Sequence, residues 1–154
     1  MKQHIIEKVE FISKIAKGEI IEGELMMTAF FIDEKNNFIV DEDGAPAQVN
    51  SAYHESGKLK PLTELMDNVH DVCSSCNITN VIIVFESWVV KNENVLKDLE
   101  IRKHNSKKEV FNIVVGFPDG SSQMRCSDII RNESSVEFKD GEWMPADDFI
   151  KSWA

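Results

Sequence analysis

The stretch Val81-Ile82-Ile83-Val84-Phe85-Glu86-Ser87-Trp88-Val89-Val90 is the most apolar run in the chain, and only Glu86 and Ser87 interrupt it. Its length, its β-branched content and its lack of a helical period predict a central strand. Alternation puts Val84, Glu86 and Trp88 on one face of that strand and Phe85, Ser87 and Val89 on the other. A carboxylate taken into an apolar layer must be paired, hydrogen-bonded or neutralised, so Glu86 is the first candidate for a specific role. Its expected partners are Arg102, Arg125 and Arg131, because a guanidinium fork matches a carboxylate and tolerates burial better than lysine. A strand ending near Glu86, with the carboxylate in water, is the simpler reading.

Working outward, Ile5, Val9, Ile12 and Ala16 fall on one helical stripe widened by Phe11 and Ile15, which predicts an amphipathic helix over residues 3–17. Gly18 or Gly23 can end it. Residues 24–32 read as a strand, 33–37 as a turn, and Phe38-Ile39-Val40 as the returning strand of a hairpin. The segment from Asp41 to Gly57 has turn residues and no period, and reads as a surface loop. A second helix starts at Pro61 and carries Leu62, Leu65, Met66, Val69, Val72, Cys73 and Cys76 at helical spacing.

Beyond the central strand, residues 91–108 form a polar excursion. A second hairpin joins 109–117 to 121–130 through Pro118-Asp119-Gly120. A shorter third hairpin pairs Val136-Glu137-Phe138 with Glu142-Trp143-Met144, and a last helix runs from Pro145 through Trp153. Hairpins with few helices predict an α+β fold, a single antiparallel sheet of five or more strands with helices packed on it, in one domain spanning residues 1–154. The order α, β, β, α, β, β, β resembles profilin-like folds of the roadblock type, whose members mostly act as scaffolds and regulators.

The chain has 154 residues, 42% of them hydrophobic and 29% charged, which fits a folded globular protein. Its formal net charge of -10 argues against nucleic acid and anionic lipid as partners. There is no apolar leader and no run approaching the ~20 residues of a membrane helix. Three cysteines without an export signal point to reduced thiols in a cytoplasm. A monomer and a small homo-oligomer are equally compatible with these features.

His70, Cys73 and Cys76 form the most motif-like group, since thiolates and imidazole suit zinc. Both cysteines nevertheless share the apolar stripe of the second helix, which favours packing. No second ligand pair exists, and no metal or other cofactor is expected. For catalysis Glu86 needs a second acid-base group, and His54 in the long loop is the candidate. No nucleophile elbow, glycine-rich phosphate loop or two-histidine zinc motif is present.

Arg102, Lys103, Lys107 and Lys108 concentrate positive charge and are candidates for contacting a partner. Phe85-Glu86-Ser87-Trp88, followed by the excursion and Ser106-Lys107-Lys108-Glu109-Val110, resembles small bacterial and phage proteins of unknown function. That resemblance covers about a third of the chain, departs from the pattern in having no proline in the excursion, and assigns no site.

The expected function is a non-enzymatic cytoplasmic binding or regulatory protein of bacterial or phage origin, acting through protein-protein contacts. Two alternatives stand beside it. One is an acidic decoy for a nucleic-acid-binding protein, which requires Asp33, Glu34, Asp41, Glu42, Asp43, Asp140, Glu142, Asp147 and Asp148 to share a face. The other is a metal or acid-base hydrolase built on Glu86.

Overall fold

The computed structural model describes residues 1–50, 62–90, 107–146 and 149–154, with the side chains of residues 62, 63, 89, 90 and 107 left aside. The elements are α1 (Gln3–Glu22), β1 (Thr28–Asp33), β2 (Gln48–Asn50), α2 (Leu62–Ser75), β3 (Ile78–Val90), β4 (Lys107–Gly116), β5 (Ser122–Arg131), β6 (Val136–Asp140) and β7 (Met144–Pro145). All seven strands join one antiparallel sheet in the order β2-β1-β3-β4-β5-β6, with β7 also on β5. The α+β class and the antiparallel sheet are as the sequence predicts.

The central strand β3 separates two cores. On one face α1 lays Ile5, Val9, Ile12, Ala16 and Ile20 over Phe30, Ile82, Val84, Phe111 and Ile113. On the other, α2 lays Leu65, Val69 and Cys73 against Ala29, Phe31, Val81, Ile83 and Val114. A strand covered on both sides reads as an unbroken apolar run, the feature that marks Val81–Phe85 in the sequence.

Several boundaries differ from expectation. Helix α1 continues through Gly18 to Glu22, because Ile20 completes its core stripe and Gly23 closes the last turn through a 2.9 Å bond from its N–H to the Glu19 carbonyl. Residues 38–40 form only isolated bridges, Ile32 to Phe38 and Val40 to Pro46, and the true partner of β1 is β2, inside the stretch read as loop. The third hairpin does not form. Both β6 and β7 pair with β5, one behind the other, because β5 is ten residues long and offers an open edge for each. The described residues of the C-terminal segment, 149–154, are not helical.

That segment instead closes the α2 face. Ile150 is buried against Gly116, where a Cβ would strike both Ile150 and Val81. The Trp153 indole N–H donates to the Ile78 carbonyl at 2.9 Å, and Phe149 stacks on Phe85 at 5.8 Å between centroids. The β4–β5 turn uses Gly120 at a φ of 89°, a left-handed conformation that favours glycine. There Asp119 accepts from the Ser121 N–H at 2.9 Å.

Candidate functional site

Glu86 lies on the α1 face, in register with Phe111 of β4. It is half-buried, and its carboxylate accepts a 3.2 Å hydrogen bond from the backbone N–H of Leu25 in the link between α1 and β1. Burial raises its carboxyl above the ordinary range; the Leu25 N–H opposes this, Glu109 adds to it, Arg131 opposes and Glu24 adds. The expected guanidinium bond is absent for both described candidates. Arg131 donates to Glu109 at 2.8 Å, and Arg125 donates to Glu10 at 3.0 Å, while Arg102 lies outside the described residues. The reason is geometric: Leu25 brings a fixed main-chain donor to Glu86, whereas each arginine meets a nearer carboxylate.

His54 also lies outside the described residues, so its pairing with Glu86 has no structural account. His70, Cys73 and Cys76 are held apart in function. The His70 Nε2–H donates to the Ser152 carbonyl at 3.0 Å, and its Nδ1 faces the Ser74 hydroxyl at 3.5 Å, which ties α2 to the C-terminal segment. Cys73 is buried in the core, where burial and then the neighbouring Cys76 push its thiol up to about 12, while Cys76 is exposed. Among the described residues no group of three or more His, Cys, Asp or Glu side chains is arranged to hold a metal ion.

Arg102 and Lys103 are outside the described residues, as is the Lys107 side chain. Lys108 forms a 2.9 Å ion pair with Asp128 on the neighbouring strand β5. The acidic residues required of a decoy divide between the two edges of the sheet. Asp33, Glu34, Asp41, Glu42 and Asp43 belong to the β1–β2 connection, and Asp140 belongs to β6. Two of them serve turns: Asp33 accepts from the Lys35 and Asn37 N–H groups, and Asp41 from those of Asp43 and Ala45.

Two surfaces flank α1, and neither was singled out in the sequence. Taking about 100° per residue, Phe11 and Ile15 fall on one side of its buried stripe, and Glu10, Ser13 and Lys17 on the other. On the first side Phe11 and Phe38 lie 6.0 Å apart between ring centroids. Phe11, Ile15 and Val40 are 50%, 42% and 55% exposed. Beside them is an apolar groove of about 150 Å³ lined by Ile15, Ala16, Leu25, Phe30, Pro46 and Val84. Val40 bridges to Pro46, so the strip and the groove are joined through the β1–β2 connection. The signal was present in the sequence, since Phe11 and Ile15 widen the apolar stripe beyond what one sheet can cover.

On the second side Arg125 of β5 is buried among polar groups, only 8% exposed. Its Nη1 holds Glu10, and its guanidinium carbon lies 5.2 Å from the Trp143 ring centre. Alongside, Asp140 receives hydrogen bonds from Lys17 at 3.1 Å and from the Ser127 hydroxyl at 2.7 Å. Burial pushes the Asp140 carboxyl up, but Ser127, Lys17 and Arg125 together outweigh it and leave the group below its usual range.

A larger open cleft of about 1150 Å³ lies at the start of α1, with Lys2, His4, Glu34, Asn80, Gln123 and Trp143 among its walls. No helix among the described residues is long and apolar enough to cross a membrane. Compared with known proteins, the chain matches no family model, no curated protein and no solved structure.

Proposed function

We propose that this chain is a cytoplasmic binding or regulatory protein that acts by contact with another protein and catalyses no reaction. The observation that carries this reading is the apolar strip of Phe11, Ile15, Phe38 and Val40, continuous with the groove under Pro46. Single exposed apolar residues are ordinary on a protein surface, whereas a row joined to a groove is the form that docking sites take. An aromatic such as Phe11 at the centre of such a row is a natural anchor, worth about 2 kcal/mol or more when a partner buries it. Glu86 supports the same reading, because its carboxylate is spent on fixing the α1–β1 link.

The test is affinity capture with the full chain beside a Phe11→Asp, Ile15→Asp double variant whose circular dichroism spectrum is unchanged. A protein retained by the wild type and weakened at least about tenfold by the variant is the expected result. Identical capture by both chains would remove the strip from the argument. Turnover abolished by Glu86→Gln with the fold intact would replace the reading by an enzymatic one.

A further inference from the structure

Arg125 and Ser13 are buried polar side chains whose donors are not all used. Arg125 is 8% exposed and Ser13 2% exposed, and the Arg125 Nε and Nη2 and the Ser13 hydroxyl have no hydrogen-bond partner. Buried donors are nearly always satisfied, so three together on one flank of a helix call for an explanation. The two free nitrogens of Arg125 are the informative part. Nε and Nη2 form the side-on edge of a guanidinium, with two parallel N–H groups spaced to grip two oxygens of a carboxylate or phosphate. Glu10 takes only Nη1 and leaves that edge open to a second anion.

The surroundings favour the same ligand. Ser13, Lys14 and Lys17 line a groove of about 420 Å³ between α1 and β6, whose opposite wall is Val136 and Phe138. Glu10 lines it too, and its 54% exposure leaves it free to swing away from Arg125. Lys17 is anchored over the Phe138 ring at 5.2 Å and by Asp140, so a cation stays fixed at the groove whether or not Glu10 moves. The chain's net negative charge does not forbid an anion here, since distant charges are screened beyond about 8 Å at physiological salt.

We infer that the groove between α1 and β6 is a binding site for a small oxyanion, a carboxylate or a phosphate. The anion takes the Nε–Nη2 edge of Arg125, and Glu10 acts as its internal competitor. Ser13 supplies a further donor, and Trp143 covers the guanidinium from the side away from the helix. The site is independent of the apolar strip, which lies on the opposite flank of α1.

The experiment is a titration of the full chain with inorganic phosphate and, separately, with acetate, at ionic strength held constant with sodium chloride. The readout is the Arg125 Nε–H resonance, identified by its loss in Arg125→Lys, together with tryptophan fluorescence. Saturable movement of that resonance is expected with one or both anions, and the two arms distinguish a tetrahedral from a planar ligand. Glu10→Gln removes the competing charge and keeps the side chain's shape, and is expected to tighten binding about fivefold. Ser13→Ala is expected to weaken it about threefold to tenfold.

Both of those variants alter one groove side chain and are checked for folding by their backbone amide spectra, so the test does not depend on Arg125→Lys folding. Absence of saturable movement in both the wild type and Glu10→Gln would overturn the inference. So would movement matched by chloride alone, or an affinity unchanged by both Glu10→Gln and Ser13→Ala.

Discussion

Glu86 and Arg125 are two charged groups set into the same α1-covered face of the sheet, and they are held in opposite ways. Across the strands one row reads Glu86, Phe111, Ser127, Asp140, and the next reads Val84, Ile113, Arg125. Glu86 is bonded by a main-chain N–H, which cannot rotate away. Arg125 is bonded by a half-exposed side chain, which can. A charge fixed by backbone serves the architecture, while a charge fixed by a surface side chain is exchangeable. Phe111, fully buried and edge-on to Phe138 at 6.3 Å, keeps the two neighbourhoods apart.

Removing that partition is the most damaging way to break the comparison. Phe111→Ala should lower stability by about 3–5 kcal/mol in urea denaturation, because it opens a cavity both neighbourhoods border. A loss below about 1 kcal/mol would mean that the two charged regions are not separated by packing.

Cutting each partner in turn sharpens the contrast. Glu10→Ala leaves Arg125 without its carboxylate and should cost about 1–3 kcal/mol. Glu86→Gln keeps an acceptor for the Leu25 N–H and removes a half-buried charge, so it should stay within about 0.5 kcal/mol of wild type at neutral pH. Equal costs for the two would dissolve the distinction between exchangeable and fixed.

The smallest effects are in pH dependence, and their signs are opposite. For Glu86, with its folded pKa raised chiefly by burial, the stabilising contribution is complete below the unfolded value of about 4.3 and is lost as pH rises through the folded value. Glu86→Gln should therefore gain on wild type between about pH 4 and pH 7. Asp140 is lowered by Ser127, Lys17 and Arg125 against the push of burial. Its contribution is present above the unfolded value of about 3.9 and is lost as pH falls through the folded one. Asp140→Asn should cost stability near neutrality and cost nothing in acid. Denaturation midpoints of both variants across this range check both signs.

Much of this face was legible in the sequence. The Val81–Val90 run, the α1 stripe and the Asp119-Gly120 turn locate the central strand, its covering helix and the β4–β5 hairpin, because each rests on local periodicity or turn chemistry. The partner of Glu86 was not legible. It is a backbone donor at Leu25, and no residue type announces a main-chain N–H. The Arg125 neighbourhood was hidden for a related reason. Glu10, Ser13 and Lys17 share a flank of α1, but what they meet depends on which strand lies beneath, and only the sheet order reveals β5. The pairing of β6 and β7 with one strand was equally hidden, since Lys139-Asp140-Gly141 carries turn residues that would serve a hairpin as well.

That shared strand has a consequence for solubility. At one side the sheet ends in β6 and β7 laid end to end on β5, with the Gly141 N–H bonded to the Cys126 carbonyl at 2.9 Å where the two short strands meet. At the other side it ends in the three residues of β2. Long, flat, unpaired edges recruit strands from other molecules, and broken or very short ones do not. Neither border of the described sheet offers a template for chain-to-chain strand addition, so a sheet with a highly apolar central strand is guarded against polymerising through its own backbone.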